Sequence, residues 1–367
     1  MDFYQSLGVT KRINAAACYT ALGGSIMSEE VLDAMRQAAG SFISLHELQM
    51  KAGEKIAKLT KNEGAFVTTG AAAGIVLSIL ACRTRGDLVE IQKIIDGKAS
   101  PSEILMFAGH RIPYDAAIRL AGSQLVTVGD AIQTFEYQLE AGINERTSAI
   151  FFCAGKHLAT PALSLETTVK IARKHAIPVI VDAAAQLPPI SNLWKFTRDE
   201  GVDLAIFSGG KALHGPQSSG LIVGKKEYIE AVRANGAPYQ RLGRAFKASK
   251  EEIAGLLTAI ELYTSRDHEA EWKSWSNTVD SWITQLGNIQ DCKISRDDIN
   301  EAGQPVPRVA IELSENSALR VVGKLQKLDP IVEVVHDSRS MIWISPDSLQ
   351  PGEESIVIEQ LKKALSN

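Results

Sequence analysis

Between about residues 46 and 263 the chain alternates short apolar runs with segments in which apolar residues recur at helical spacing. Helices are expected at 48–59, 70–82, 114–121 and 165–175. Strands are expected at 65–69, 87–91, 104–108, 124–128, 149–153, 179–182, 204–207 and 221–224, the last of them antiparallel. Strands that alternate with helices in this way predict an α/β protein built on a doubly wound, mostly parallel sheet.

The two ends of the chain show other patterns. Residues 1–45 are predicted to form an N-terminal arm, in which Ser28 precedes an amphipathic helix. The C-terminal stretch predicts helices at 269–285, 319–328 and 354–365 and strands at 306–313, 331–336 and 341–345. The predicted organisation is therefore an arm (1–45), a large domain (46–263) and a small C-terminal α/β domain (264–367).

The strand expected at 204–207 is followed by a glycine-rich loop that contains Lys211. Its Ser-Gly-Gly start lets the chain turn sharply and present the lysine at the carboxyl end of the strand, where open α/β sheets bind their ligands. An amine placed there suits a Schiff base with an aldehyde cofactor, and the Ser208 hydroxyl is free to hold a phosphate oxygen. A tight turn with a solvated lysine is the ordinary alternative.

Asp182 ends a continuous apolar run and is followed by small residues. This pattern is typical of a parallel strand that is buried on both faces. A carboxylate at its end is costly unless a partner compensates it, and a protonated pyridine nitrogen would do so. A helix cap or a pair with a structural arginine is the alternative explanation.

A third candidate feature lies upstream, where the strand at 65–69 runs into a helix start made of small residues. The backbone N–H groups of such a start, with a threonine hydroxyl beside them, form a phosphate cup. Close packing of small residues explains the same pattern equally well. Chance rarely supplies a cup, a carboxylate and a Ser-x-x-Lys loop in this order, and the cup would consist of Thr69, Gly70, Ala71 and Ala72.

These motifs resemble the pyridoxal-phosphate enzymes of fold type I, the aspartate-aminotransferase fold. The loop at 207–220 is similar to the Ser-Gly-x-Lys-x-x-x-Gly-Pro-Gln loop of the selenocysteine-synthase-like group. The D-glucosaminate-6-phosphate ammonia-lyase branch is the most similar, on segments 12–15, 109–118 and 243–256. The resemblance covers the chain to about residue 263.

The resemblance implies roles for further residues. His110 falls where this fold places an aromatic ring over the cofactor, and an imidazole there could stack and pass protons; a surface loop histidine is the alternative. Arg244 and Lys250 are candidates for binding a phosphate, and Arg339 for binding a substrate carboxylate, although each is also explained as a solvated charge. The large domain would bind the cofactor, and a homodimer or a multiple of dimers is expected.

The implied activity is a lyase that eliminates across Cα and Cβ and releases ammonia from a hydroxy-amino acid or an amino sugar acid, with or without a phosphate group. A racemase or epimerase and an aminotransferase are the alternatives on the same scaffold, because all three begin with removal of the α-proton. A catalytically inactive member that binds a ligand or a partner is a third alternative. Retention of Lys211, Asp182 and the cup together argues against it.

Composition and charge limit the classes of molecule that the chain is expected to bind. The 367 residues carry a net charge of −4 without a basic stripe, which disfavours nucleic acid, and no tRNA-binding domain is evident. The four cysteines are scattered without a Cys-x-x-Cys pair, so neither a metal site nor a disulfide framework is expected. The longest nearly apolar run, 70–82, is too short to span a bilayer. A cytoplasmic enzyme that acts on a small molecule is therefore expected.

Overall fold

The computed structural model describes residues 2–287, Ile289 and residues 291–366. The described residues fall into two compact units. The smaller unit takes its residues from 1–24, 267–300 and 304–367, and the larger unit consists of 25–266 and 301–303. Residues 25–45, assigned above to the arm, therefore fall in the larger unit, and the proposed domain limits stay a prediction.

The strands lie in both units. In chain order they are β1 (Arg12–Asn14), β2 (Gly64–Thr68), β3 (Glu103–Phe107), β4 (Gln124–Val128), β5 (Thr147–Cys153), β6 (Val179–Asp182), β7 (Leu204–Ser208), β8 (Gly220–Gly224), β9 (Cys292–Asp297), β10 (Arg308–Leu313), β11 (Ile331–Glu333), β12 (Val335–His336) and β13 (Met341–Ile344).

The helices are interspersed with the strands. They are α1 (Phe3–Ser6), α2 (Glu29–Ala39), α3 (Leu45–Leu59), α4 (Gly70–Thr84), α5 (Leu88–Ile95), α6 (Ala116–Leu120), α7 (Glu136–Gly142), α8 (Lys156–Ala159), α9 (Leu165–Lys174), α10 (Asn192–Trp194), α11 (Lys226–Asn235), α12 (Lys250–Ser265), α13 (His268–Leu286), α14 (Ala318–Leu325) and α15 (Glu353–Leu365). Among the described residues, none of these helices is long and apolar enough to cross a membrane.

One seven-stranded sheet organises the larger unit. Its strand order is β2-β8-β7-β6-β5-β3-β4. Neighbouring strands from β7 to β4 run parallel, whereas β8 runs antiparallel to both β2 and β7. The predicted α/β class and the antiparallel strand after the lysine loop are therefore confirmed.

The sheet is buried on both faces. Val181 and Phe207 belong to one apolar cluster, whereas their neighbours Ile180 and Ile206 belong to the other. Because successive strand residues point to opposite faces, a strand covered on both sides must be apolar throughout. The carboxyl ends of β6 and β7 lie at the same edge of the sheet, and this is where Asp182 and the lysine loop begin.

The smaller unit has its own sheet and core. Strands β12, β13, β10 and β9 form an antiparallel sheet, and β1 pairs in parallel with β11. Trp282 of α13 is almost completely buried in its core, together with Val279 and Leu286 of the same helix.

The strand predicted at 87–91 is wrong, because these residues open helix α5. The Asp87 carboxylate accepts hydrogen bonds from the N–H groups of Val89 and Glu90, at 2.7 and 3.1 Å. Such an N-cap satisfies the first free donors of a helix and fixes its start. Helices α7 and α11 and strand β9 were not predicted. Short apolar runs do not distinguish a strand from one side of a helix.

Candidate active site

The loop that carries Lys211 is closed by backbone contacts that leave no room for side chains at its glycines. The N–H groups of Gly209 and Gly215 donate to the carbonyls of Ser219 and Gly209, at 2.9 and 2.8 Å. A Cβ atom added to Gly210 would lie 3.0 Å from the carbonyl oxygen of Gln217 and closer still to its Cα. The loop therefore has a defined path, and half-buried Lys211 lies near its start.

Asp182 lies one strand away, at the end of β6. It is opposite Ile206 of β7 in the sheet register, and its Oδ1 accepts a hydrogen bond from the Ala184 N–H at 3.0 Å. Burial raises the pKa of the Asp182 carboxyl above its ordinary 3.8, while the Ala184 hydrogen bond and the positive charge of Lys211 act in the opposite direction. The structure thus brings the predicted acid and the predicted amine into electrostatic contact.

Helix α4 begins at the same edge of the sheet. Thr69 is its N-cap residue, but the Thr69 side chain makes no capping hydrogen bond within the described chain. The first N–H groups of a helix have no partner inside the helix and carry the positive end of its dipole. Ala72 is exposed and Ala71 half-buried, so this helix start is accessible.

Gly220 joins the helix start to the lysine loop. In the sheet register it lies opposite both Thr68 of β2 and Ser208 of β7. A Cβ atom at Gly220 would lie 2.6 Å from the Gly70 carbonyl oxygen and 2.7 Å from Thr68 Oγ1. The predicted phosphate cup, the Ser208 hydroxyl and the lysine loop therefore converge at one edge. The need for glycine at position 220 was missed, since only the strand register reveals it.

His110 follows β3 and is completely buried, with 0% of its surface exposed. Its Nδ1 accepts a hydrogen bond from the Cys153 N–H at 3.2 Å, so the proton of the neutral ring resides on Nε2. Nε2 has no hydrogen-bond partner among the described residues. Burial lowers the pKa of His110 to about 4.

Two aromatic side chains contact the ring of His110. It meets Phe152 edge to face at 4.5 Å between ring centroids and Phe107 at 5.3 Å. No face of the ring borders open space in this arrangement. Stacking of His110 on a cofactor stays a prediction, and proton transfer by the ring near neutral pH is disfavoured by its low pKa.

The predicted substrate residues lie in different surroundings. Arg244 is exposed beside a cavity of about 490 Å³, whose lining also includes Phe42, Lys247 and Lys250. The Lys250 amine donates to the carbonyls of Ala39, the last residue of helix α2, and of Ser41, at 2.9 and 2.7 Å. This contact could not be predicted, because the residues are more than two hundred positions apart in the chain.

Arg339 belongs to the smaller unit. It is exposed in the turn before β13, and its N–H donates to Asp337 Oδ1 at 2.7 Å. The structure therefore brings together Lys211, Asp182, Ser208 and the start of α4 within the larger unit. The roles assigned to Arg244, Lys250 and Arg339 stay predictions.

Comparison with known proteins agrees with this arrangement. The family model of SelA, L-seryl-tRNA selenium transferase, matches residues 13–274. D-glucosaminate-6-phosphate ammonia lyase of Salmonella typhimurium is 36% identical over 267 residues, which cover 71% of this chain and 70% of that protein. The 5'-C-glycyluridine monooxygenase-decarboxylase of a Streptomyces species is 30% identical over 375 residues, covering 99% of this chain and 92% of the relative.

A solved structure extends the similarity to the whole chain. The structure of D-glucosaminate-6-phosphate ammonia-lyase matches with a TM-score of 0.85 at 28% identity, covering 100% of this chain and 98% of the other. The predicted cofactor, fold type and relationship to the ammonia-lyase branch are confirmed. The chain belongs to the L-seryl-tRNA selenium transferase (SelA) family, whose fold type I enzymes depend on pyridoxal phosphate.

Proposed function

We propose that this protein is a pyridoxal-phosphate-dependent lyase that releases ammonia from a β-hydroxy amino acid of the amino sugar acid class, phosphorylated at its far end. The observation that carries the proposal is the similarity to an ammonia-lyase along 100% of the chain, at a TM-score of 0.85. The 36% identity to an enzyme of that name supports it.

The residues at the sheet edge fit the cofactor. Half-buried Asp182 has a raised pKa, and a cationic pyridine nitrogen is the partner that would offset the cost of its charge. The N–H groups of Gly70, Ala71 and Ala72, with the hydroxyls of Thr69 and Ser208, would hold the phosphate. Because position 220 is a glycine without a side chain, the chain can pass close to Gly70 at this helix start.

Each residue then has a distinct task. Bound pyridoxal phosphate supplies an electron sink that acidifies the substrate Cα–H bond. The Lys211 amine would hold the cofactor by its aldehyde carbon and would take the proton from the substrate Cα. The Asp182 carboxylate would favour a positive charge on the ring nitrogen. Loss of the β-hydroxyl and addition of water give one ammonia and one 2-oxo-3-deoxy acid for each substrate, without an acceptor.

Arg244 and Lys247 are exposed, and their positive charges suit the anionic groups of such a substrate. Arg244 and Lys247 line the cavity of about 490 Å³, and the arginine fork matches phosphate or carboxylate geometry. We assign Arg244 to the substrate phosphate and Lys250 to the support of the cavity wall. A cytoplasmic homodimer, or a multiple of dimers, is the form in which we expect the enzyme to act.

The test is ammonia release by purified, cofactor-loaded protein. D-glucosaminate 6-phosphate, its unphosphorylated form and β-hydroxy amino acids of both chiralities are offered in turn. We expect ammonia and a 2-oxo acid in equal amounts, with the phosphorylated sugar acid preferred. Failure of every substrate to yield ammonia would contradict the proposal.

The same assay separates the alternatives. Racemisation changes optical rotation without ammonia, and transamination requires an added oxo acid. The Streptomyces relative, which covers 99% of this chain, favours oxidative decarboxylation as a second candidate. That reaction consumes dioxygen and releases carbon dioxide, so product analysis under air and under nitrogen distinguishes it from elimination.

A further inference from the structure

The carboxyl end of β5 lacks a strand neighbour on one side. The parallel ladder between β3 and β5 ends at the pair Met106 and Phe151, whereas β5 continues to Cys153. Successive N–H groups of a strand point to alternate neighbours. The Ala154 N–H points to β6, where it donates to the Asp182 carbonyl at 2.9 Å. The Cys153 N–H therefore points to the side of β3. Strand β3 has ended there at Phe107, and it offers no backbone pair to Cys153.

His110 supplies the missing acceptor. Its Nδ1 accepts the Cys153 N–H at 3.2 Å, in the place where a strand carbonyl would otherwise lie. The chain turns back through Ala108–His110 to bring the ring there, and the edges of Phe107 and Phe152 fix its orientation. The imidazole thus extends the sheet beyond the last backbone pair of β3.

The backbone held in this way is the one that supports Asp182. Cys153 lies directly opposite Asp182 in the register of β5 and β6, and the next N–H along β5 bonds to the Asp182 carbonyl. We propose that His110 is a positioning residue, which acts through the backbone of Cys153 and Ala154 to hold the Asp182 carboxylate where the pyridine nitrogen binds. This inference rests on the cofactor site of the proposed function. His110 is completely buried, so its ring presents no accessible surface to a cofactor, and a role through the backbone is the one that fits this position.

A double-mutant cycle tests the inference. Pyridoxal phosphate is titrated into the apo forms of wild type, His110→Phe, Asp182→Asn and the double variant, and binding is followed by visible absorption. We expect each single variant to weaken binding by about tenfold or more. In the Asp182→Asn background, His110→Phe should add less than about a twofold loss, because residues that act through one another are not additive. Full additivity would overturn the positioning role and favour direct contact.

Conservative and control variants keep the test decisive if His110→Phe folds poorly. Asparagine carries Oδ1 on Cγ, as histidine carries Nδ1, so His110→Asn should accept the same hydrogen bond and retain binding within about threefold of wild type. Loss of binding by a folded His110→Asn protein would contradict the inference. His175→Phe, at an exposed histidine after α9, is the matched control and should bind like wild type.

A spectroscopic readout distinguishes positioning from general support of the fold. The pH dependence of the bound cofactor's visible band reports the charge beside its ring nitrogen. His110→Phe should shift that dependence towards the profile of Asp182→Asn, whereas His110→Asn should keep the wild-type profile. Wild type that binds cofactor but yields no ammonia contradicts only the proposed reaction. Wild type that binds no cofactor contradicts both proposals.

Discussion

Lys211 and Asp182 depend on each other at the residue scale. The positive charge of Lys211 partly offsets the burial that raises the Asp182 pKa. Removing the lysine should therefore raise that pKa further and leave the carboxyl neutral at a higher pH. The two groups lie close together because the adjacent parallel strands β6 and β7 end at the same edge of the sheet.

Replacement of Lys211 by alanine removes the amine that would anchor the cofactor and take the α-proton. We expect ammonia release to fall by at least about a thousandfold and the visible absorption of bound cofactor to disappear. Lys170→Ala, on the exposed side of α9, is the matched control and should retain both. Normal turnover by Lys211→Ala would be incompatible with the assigned role.

Replacement of Asp182 by asparagine should weaken cofactor binding without lowering the stability of the apoprotein. Because a raised native pKa means that the native state binds the proton more tightly than the unfolded state, apo wild type loses stability as pH rises through that pKa, above 3.8. The neutral amide lacks this penalty. The apo variant should thus match or exceed wild type at pH 7, by up to about 1 kcal/mol, and lose the pH dependence due to this group.

Urea unfolding of both apo proteins between about pH 4 and about pH 8 measures the difference, because this range lies above the ordinary pKa of an aspartate. Cofactor titration on the same samples should show affinity reduced by about tenfold or more in Asp182→Asn. An apo variant that is much less stable than wild type across the whole range would instead assign Asp182 a purely structural role.

The places of some candidate site residues in the fold could be predicted from the sequence, whereas those of others could not. The positions of Asp182 at the end of β6 and of Lys211 just after β7 could be predicted, because each apolar run is long enough to identify a buried parallel strand. The roles of both residues stay predictions. The enclosed ring of His110 and the contacts of Lys250 with Ala39 and Ser41 could not be predicted. Both depend on segments that are distant in sequence and meet only through the tertiary fold.

Among the elements, the start of helix α4 is the one on which the proposed phosphate binding depends. Its N-cap residue, Thr69, provides no side-chain capping bond within the described chain, and Gly70 adopts a positive φ of 83°. Most helices of similar length here have a side-chain cap, as Ser28 provides for α2 and Ser249 for α12. An uncapped helix start leaves its N–H groups for a ligand anion.

Introducing a carboxylate at this helix start should have opposite effects on the fold and on the site. Ala72→Asp places a negative charge in the first turn of α4, which should stabilise the apoprotein by about 0.3–1 kcal/mol. The same charge should repel the cofactor phosphate and weaken pyridoxal phosphate binding by about tenfold or more. Binding of pyridoxal, which has no phosphate, should change little.

Ala72→Asn is the matched control for that experiment, since its side chain has nearly the same size without the charge. Thermal unfolding and cofactor titration compare the two variants. Equal weakening of pyridoxal and pyridoxal phosphate by Ala72→Asp would show that this helix start does not hold the phosphate.

Elements were predicted best where burial on both faces left a continuous apolar signature, as in β3, β6 and β7. The error at residues 87–91 arose because Leu88, Val89 and Ile91 form an apolar run that suits either a strand or a helix. The Asp87 N-cap was the sequence signal that should have decided in favour of the helix.

At the scale of the whole molecule, we expect a second copy of the chain to be required. Sedimentation should give twice the 39.7 kDa of the single chain, or a multiple of that value. Dilution that dissociates the dimer should reduce ammonia release per chain. A monomer with undiminished turnover at every concentration would exclude the dimer as the active form.

Every role proposed for this site depends on a covalent bond between Lys211 and pyridoxal phosphate. Borohydride reduction of the loaded protein, followed by proteolysis and mass spectrometry of the peptides, tests for that bond. We expect the pyridoxyl phosphate adduct on the peptide that contains Lys211 and no adduct on the same peptide of Lys211→Ala. An adduct confined to another lysine, or no adduct in protein saturated with the cofactor, would contradict the proposed role of Lys211.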